Sequence, residues 1–221
     1  MLGLHRWSAI ELLLAIIVLF ISFPFVEQLD YGPLIESILF TIVLVSGMVA
    51  ISGRRAILIS AAILALPALA GRWIHDYRPD LLPPEVFLIG GMLFILFVIA
   101  NLLRFVLEAR SVDVQVLCAA ISAYLLLGLL WTFCYWLAAE LTPGAFSFNA
   151  SSAASDKSMS GFNALYFSFV TLSTLGYGDI SPVSRGARML AAAESTVGLL
   201  YVAVLIARLV ALYSAPTRHE N

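Results

Sequence analysis

Six long apolar stretches, separated by short polar segments, dominate the hydrophobic pattern of this chain of 221 residues. A helix needs about 20 predominantly apolar residues to cross the hydrocarbon core of a bilayer, and each stretch comes close to that length. The pattern therefore predicts an all-α membrane protein. The six predicted membrane-spanning helices cover Ser8–Val26, Leu34–Ile51, Ala56–Trp73, Pro84–Leu107, Val112–Ala139 and Arg188–Tyr213.

Two of these stretches allow a second interpretation. Pro67 interrupts the third stretch, and proline removes a backbone hydrogen bond from a helix interior, so a broken or reentrant helix is an alternative there. The first stretch follows Arg6 and is similar to the apolar core of a secretory signal, but Phe23-Pro24-Phe25 lacks the small residues of a cleavage site. We therefore expect the first stretch to be retained as a membrane helix.

The composition agrees with a membrane location and narrows the function. Hydrophobic residues make up 62% of the chain and charged residues 12%, against about 25% charged residues in soluble domains. A net charge of −2 gives no basic surface for nucleic acid. Cys118 and Cys134 lie in one predicted helix roughly 24 Å apart, which is too far for a disulfide. The sequence shows no nucleophile–base or metal-ligand spacing, so we expect neither an enzyme nor a bound cofactor.

Between the last two predicted spans lies an apolar segment that is too short to cross a bilayer. Residues Phe162–Thr174 would form a helix about 20 Å long, which suits a half-membrane helix that enters from outside and stops midway. Its C-terminal end would carry partial negative charge and favour a cation at the bilayer centre.

The preceding Leu141–Ser160 is polar and rich in Ser and Ala, and we expect a mobile outer loop there. Asn149-Ala150-Ser151 matches the glycosylation acceptor pattern, although a chance occurrence is the favoured interpretation.

The short apolar segment leads directly into Thr174-Leu175-Gly176-Tyr177-Gly178, which is expected to return to the outer face as an extended strand. Successive backbone carbonyls point to one side when left-handed conformations alternate along the strand, and glycine adopts these at little cost. Gly176 and Gly178 occupy such alternate positions, and the Thr174 hydroxyl would add an oxygen below the carbonyls. Irregular backbone at membrane depth is tolerated only where it is buried in protein or lines a water path. The segment is therefore expected to be buried in protein or to line a water path.

Residues Thr171–Pro182 resemble the selectivity filter of potassium channels, and the resemblance extends over the helix–pore-loop–helix unit Val112–Tyr213. It implies that potassium is the permeant ion and that backbone carbonyls replace its hydration shell. A single such motif per chain implies a homotetramer, because every subunit contributes a carbonyl to each layer of the cage. The resemblance assigns the ion-binding strand to Thr174, Leu175, Gly176, Tyr177 and Gly178, with K⁺ held at the first four.

The residues around this strand are expected to brace it. Thr171, Ser173, Asp179 and Tyr166 form the expected supporting set, and Asp179 with the following Ser-Pro dipeptide closes the loop. The Tyr166 hydroxyl is expected to hydrogen-bond Asp179, with plain aromatic packing as the alternative. Tyr166 and Phe167 occupy positions where many potassium channels carry a tryptophan pair behind the filter.

Glu194 is the most conspicuous charge in the last predicted span. An ionisable group inside a span is costly and by default a functional candidate. We expect it to be hydrogen-bonded behind the strand, with Ser173 or Thr171 of its own or a neighbouring chain as partner. A cavity-facing cation attractor is the alternative. Gly198 matches the position of a hinge glycine in many potassium channels, and close helix packing is an equal alternative. The candidate lining of a cavity and gate, with helix packing as its alternative, is Leu199, Val202, Ile206 and Val210.

The resemblance divides the chain into three parts. Residues 1–110 correspond to the peripheral four-helix domain of six-helix channels, 111–214 to the pore domain, and 215–221 to a short cytoplasmic tail that is too small for a ligand-binding domain. The fourth span has Arg104 as its only base before Arg110, so the arginine series of a voltage sensor is absent and steep voltage dependence is not expected. Arg104 and Glu108 stand four residues apart and are expected to pair.

Basic residues in the loops set the expected orientation. With the N-terminus inside, seven basic residues lie on the cytoplasmic side and five outside, and the short loop Ser52–Arg55 carries the strongest bias. An even number of spans then places both termini in the cytoplasm. We expect an integral plasma membrane protein, of the bacterial inner-membrane type.

Three functions fit these observations. The first is passive potassium conduction by a channel that is weakly voltage-dependent or not voltage-dependent. The second is a cation channel of relaxed selectivity, which the intact Gly-Tyr-Gly disfavours. The third is a membrane scaffold or sensor that keeps the pore fold without conduction. The expected partners are K⁺, the lipid bilayer and identical copies of the chain.

Overall fold

The computed structural model describes residues 8–26, 29, 31–51, 55–77, 83–149 and 157–213. The helices in these residues are α1 (Ser8–Val26), α2 (Gly32–Ala50), α3 (Arg55–Tyr77), α4 (Pro84–Glu108), α5 (Val114–Leu141), α6 (Gly161–Leu172) and α7 (Arg185–Tyr213). Two short strands, β1 (Phe146–Phe148) and β2 (Ile180–Pro182), lie on either side of α6 in the sequence. The predicted all-helical membrane architecture is thereby confirmed, with a small sheet that the sequence did not predict.

All helices except α6 are long and apolar enough to cross a membrane, which gives six candidate spans among the described residues. They coincide with the six predicted spans to within a few residues. α6 has 12 residues, so it is the predicted short apolar helix. Its reentrant position in a bilayer stays a prediction.

α3 continues through Pro67 without a break over 23 residues, so the broken-helix alternative is not observed. The physical reason lies in its packing against α4. A Cβ atom on Gly90 would come within 2.9 Å of the Ala68 nitrogen and 3.1 Å of the Pro67 side chain. The bare Gly90 therefore lets α4 lie directly against the turn of α3 that proline weakens.

α4 packs closely on α5 of the same chain. Asp113 directly precedes α5, and its side-chain oxygen caps the helix by accepting a hydrogen bond of 2.8 Å from the Val116 nitrogen. The link 109–113 between the two helices is short, which keeps them adjacent. Gly91 faces Phe133 so closely that any Cβ there would overlap the ring. The four N-terminal helices thus form one hydrophobic core with α5, with Leu12, Ile16, Leu44, Leu88 and Leu102 among its fully buried residues.

The polar stretch Leu141–Ser160, which the sequence predicted to be a mobile loop, is partly ordered by a strand. β1 pairs antiparallel with β2, with Phe146 opposite Pro182 and Phe148 opposite Ile180. The Phe146 ring packs at 5.8 Å from the Tyr135 ring of α5. The prediction was wrong for this part because the Phe-Ser-Phe segment finds its partner beyond α6. Residues 150–156, and with them Ala150 and Ser151 of the glycosylation pattern, lie outside the described residues.

The helix ends show an alternating up-and-down arrangement. Glu36 and Arg72 form an ion pair of 3.2 Å at one end, where they line a small cavity together with Trp136 and Gly161. At the opposite end the Arg208 guanidinium donates hydrogen bonds of 2.8 Å to the carbonyls of Leu107 and Ala109. The N-terminal ends of α2 and α6 therefore lie at the same end of the helix bundle as the C-terminal ends of α3 and α5. Which end faces the cytoplasm stays a prediction, and the predicted tail 215–221 lies outside the described residues.

Candidate ion-binding site

The candidate strand starts directly at the C-terminal end of α6. The Ser173 hydroxyl donates a hydrogen bond of 2.6 Å to the Phe169 carbonyl and ends the helix. The Leu175 and Gly176 nitrogens both donate to the Val170 carbonyl, at 2.9 and 3.3 Å. These bonds fix the amide groups of the first strand residues toward the helix, because each N–H is used to satisfy an otherwise unpaired helix carbonyl.

Left-handed backbone conformations alternate along the strand. Thr174, Gly176 and Gly178 have φ values of 58°, 58° and 78°. The sequence predicted this alternation at the two glycines, where it costs little. At Thr174 it was not predicted, and a β-branched residue in this region stores roughly 1–3 kcal/mol of strain. Thr174 is the only non-glycine residue with positive φ among the described residues, which marks the strand as a place of functional constraint.

The main-chain oxygens of Thr174, Leu175, Gly176 and Tyr177 accept no hydrogen bond from any described residue. The side chains of Leu175 and Tyr177 are 56% and 67% exposed in the single chain. Unpaired backbone oxygens beside apolar helices are costly unless water, an ion or further protein satisfies them. The strand therefore offers four consecutive oxygens to a polar occupant.

The Gly178 oxygen differs from the four before it. It accepts a hydrogen bond from the side-chain nitrogen of Asn149 and a long one of 3.4 Å from the Ser181 hydroxyl. The Asn149 backbone nitrogen also donates to the Asp179 carbonyl at 2.8 Å. The sequence assigned Gly178 to the ion-binding strand, yet its oxygen is already engaged in the described chain. Sequence reasoning missed Asn149 as a support because the contact depends on the β1–β2 pairing, and no local pattern reveals that pairing.

Asp179 lies close to Tyr166 of α6. Tyr166 interacts electrostatically with the Asp179 carboxyl group, and the Asp179 side chain accepts a hydrogen bond from the Ile180 nitrogen at 3.0 Å. The predicted hydrogen bond from Tyr166 to Asp179 stays a prediction. Phe167, the neighbour of Tyr166, is buried and packs edge-on against Tyr135 with the ring centres 4.8 Å apart. The two adjacent aromatic residues thus contact different elements: Tyr166 lies beside Asp179 at the end of the strand, and Phe167 packs on α5.

Glu194 lies fully buried between α5, α6 and α7. Its carboxyl oxygens accept hydrogen bonds from the Ser168 hydroxyl at 2.6 Å and from the Tyr135 hydroxyl. Within the described chain these donors are not the predicted Ser173 and Thr171, because the Ser173 hydroxyl is used to end α6 and Thr171 lies near Tyr135. A Ser173 or Thr171 partner from a neighbouring chain stays a prediction.

Complete burial of Glu194 disagrees with the alternative of a cavity-facing cation attractor, which needs contact with water. Among the described residues no Lys or Arg pairs with this carboxyl group. Its burial is compensated by two hydroxyl donors, which belong to different helices. Glu194 therefore ties α7 to α5 and to α6 at one point behind the strand.

Gly198 lies where α7 crosses the end of α6. A Cβ atom at this position would come within 2.5 Å of the Leu172 carbonyl oxygen. This gives Gly198 a packing reason that does not depend on a hinge, and α7 is continuous through it. The candidate lining residues are all exposed in the single chain, so cavity lining and contact with another copy both stay open for Leu199, Val202, Ile206 and Val210.

Comparison with known proteins agrees with this geometry. Residues 119–215 match the model of a family described as "Ion channel". The matched segment contains nearly all of α5, the short helix α6, the strand and the whole of α7. No curated protein and no solved structure matches the chain. Residues 119–215 are therefore similar to an ion-channel family, which supports the resemblance of this segment to potassium-channel pores.

Proposed function

We propose that this ion channel conducts potassium selectively and passively through a fourfold ring of the strand Thr174–Tyr177. The observation that carries the proposal is the alternation of left-handed conformations at Thr174, Gly176 and Gly178, together with four consecutive unpaired oxygens. Backbone carbonyl dipoles of this kind replace the hydration shell of K⁺. Conduction of this kind moves ions down their electrochemical gradient and involves no covalent step.

A homotetramer is part of the proposal, because one strand supplies only one side of a cage. In an apolar stretch of 18 residues of α7, only 11% of the residues are buried within the chain, against 61% in the corresponding stretch of α5. Exposed apolar residues such as Val197, Leu200 and Val204 therefore remain to be covered. Four copies around a central axis would cover part of this surface and place four oxygens in every layer.

We further propose that the channel is not steeply gated by voltage. Arg104 is the only base in α4, and it pairs with Glu108 at 2.7 Å, as its spacing predicted. Both side chains are more than half exposed. A voltage sensor needs several charges that move through the membrane field, and α4 offers no such series. The proposed location is the plasma membrane, of bacterial inner-membrane type, with both termini cytoplasmic.

Ion flux into liposomes tests the proposal. The full-length chain is purified, reconstituted and loaded with K⁺ or Na⁺, and Gly178→Asp serves as the comparison variant because it introduces a charged side chain at a left-handed position of the strand. We expect K⁺ flux well above Na⁺ flux in the unchanged protein and loss of flux in the variant. Comparable K⁺ and Na⁺ fluxes would support the relaxed-selectivity channel instead. Equal flux in both proteins would leave only the scaffold or sensor.

A further inference from the structure

The outer end of the candidate strand is held by a residue of the preceding loop. Asn149 follows β1 directly and makes two hydrogen bonds to consecutive carbonyl groups. Its backbone nitrogen donates to the Asp179 oxygen at 2.8 Å, and its side-chain nitrogen donates to the Gly178 oxygen. One residue thus fixes the orientation of two peptide groups at the point where the strand ends.

Asn149 is itself held in place by rigid elements. The register of β1 against β2 places Phe148 opposite Ile180, which sets Asn149 beside Asp179. The Phe146 ring of β1 packs 5.5 Å from the Phe167 ring of α6. The position of Asn149 is therefore fixed by the strand before it, because β1 pairs with β2 and packs on α6.

The consequence for ion binding follows from the difference between the carbonyl groups. The oxygens from Thr174 to Tyr177 accept no hydrogen bond within the described chain, whereas the Gly178 oxygen accepts from Asn149 and Ser181. A backbone carbonyl oxygen has two lone pairs, and an amide donor that binds one of them constrains the direction in which the oxygen points. The unpaired series therefore ends at Tyr177.

We propose that Asn149 is a positioning residue for conduction: its side chain holds the Gly178 carbonyl aside, so that Tyr177 supplies the last oxygen layer of the potassium cage. This inference rests on the proposed potassium conduction and adds a residue outside the strand itself. The role of Asn149 is to keep the strand exit in one conformation while ions pass.

Three substitutions separate the side-chain contact from the backbone contact. Asn149→Ala removes the side-chain donor but keeps the backbone N–H that bonds Asp179. Asn149→Asp keeps the shape and places a second acceptor against the Gly178 oxygen, so the contact becomes repulsive. Asn149→Gln keeps an amide donor. The matched control is Ser147→Ala, because Ser147 lies on the same strand with an exposed side chain.

The first readout is the decay of K⁺ current in planar bilayers at constant voltage. We expect decay to be about fivefold faster in Asn149→Ala, the change that the loss of one ordinary net hydrogen bond produces. Asn149→Asp is expected to decay faster still, Asn149→Gln to lie nearer the unchanged protein, and Ser147→Ala to match it. High external K⁺ should slow the decay, because an occupied cage resists rearrangement. Decay rates unchanged in both Asn149→Ala and Asn149→Asp would overturn the proposal.

The second readout does not depend on conduction. Hydrogen–deuterium exchange of the full-length protein in detergent reports on the backbone from residue 176 to residue 182. We expect faster exchange there in Asn149→Ala and Asn149→Asp than in the unchanged protein and Ser147→Ala. Identical exchange in all four proteins would contradict the positioning role. Faster exchange in a protein that passes no K⁺ would instead uphold the contact and refute the proposed function.

Discussion

At the scale of single residues, the backbone of the candidate strand carries most of the chemistry. Left-handed conformations at Thr174, Gly176 and Gly178 leave little freedom in residue type, since side chains resist this region. The oxygens of Thr174, Leu175, Gly176 and Tyr177 accept no hydrogen bond from the described residues, so no such bond fixes their direction. Hydrogen bonds at the two ends of the candidate strand hold its backbone instead. They join the strand to the Val170 carbonyl at one end and to Asn149 at the other.

The left-handed glycine inside the strand provides the first prediction. Gly176→Ala introduces a side chain at φ 58° with open space around it, so the cost is backbone strain of about 1–2 kcal/mol in each subunit and not a clash. We expect the K⁺ to Na⁺ permeability ratio to fall, measured by reversal potentials in planar bilayers.

A matched control for this substitution exists within the same chain. Gly144 has φ 76°, also has open space around it and lies outside the strand, before β1. Gly144→Ala should therefore carry similar strain and leave the permeability ratio unchanged. An equal loss of selectivity in both variants would mean that the strand has no special role.

The second prediction concerns the buried carboxyl group. Glu194→Leu leaves the Tyr135 hydroxyl without its acceptor, and an unsatisfied buried group costs about 1–3 kcal/mol. We expect a lower thermal midpoint for the detergent-solubilised protein. Adding Tyr135→Phe to Glu194→Leu removes both partners, so the double variant should regain part of the lost stability. A double variant less stable than Glu194→Leu alone would contradict this hydrogen-bond account.

At the scale of elements, the junction of α6 and α7 is a close backbone contact near the candidate site. The third prediction is that Gly198→Ala forces the two helices apart, because its Cβ would lie 2.5 Å from the Leu172 carbonyl oxygen. We expect both a lower thermal midpoint and reduced K⁺ flux. Gly186→Ala on the same helix meets no atom within 4 Å and should preserve both properties. Reduced flux with unchanged stability in Gly198→Ala would favour the hinge interpretation instead.

The elements also show what the sequence could and could not predict. Helix positions follow from the lengths of the apolar runs, so the six spans and the short helix were predictable from the hydrophobic pattern alone. The pairing of β1 with β2 and the bond from Ser168 to Glu194 join residues that are far apart in the chain. Such partners depend on how helices pack, and a local pattern carries no information about that. The strain at Thr174 was missed for a related reason, because only glycine signals positive φ in a sequence.

At the scale of the whole molecule, α1 and α4 pack on the C-terminal part of their own chain that matches the ion-channel family. α4 lies against α5, and Phe20 of α1 packs edge-on against Phe169 of α6 with the ring centres 4.9 Å apart. Arg208 on α7 bonds the carbonyls of Leu107 and Ala109 at the end of α4. Helices α6 and α7 are therefore in direct contact with α1 and with the C-terminal end of α4.

The fourth prediction is that this peripheral domain does not respond steeply to voltage. K⁺ conductance of the reconstituted protein should change little between strongly negative and strongly positive potentials. Arg104→Gln should leave that relation unaltered, because an exposed ion pair contributes only about 0–1 kcal/mol. A steep conductance–voltage curve that Arg104→Gln flattens would show that this one charge senses the field.

The most direct test of the central claim is an experimental density map of the full-length protein in a membrane mimic, recorded in K⁺ and again with K⁺ replaced by Rb⁺. We predict four copies around one axis, with ion density between successive rings of the main-chain oxygens of Thr174, Leu175, Gly176 and Tyr177. Any other number of copies, or oxygens of this strand turned away from the axis, would contradict the account.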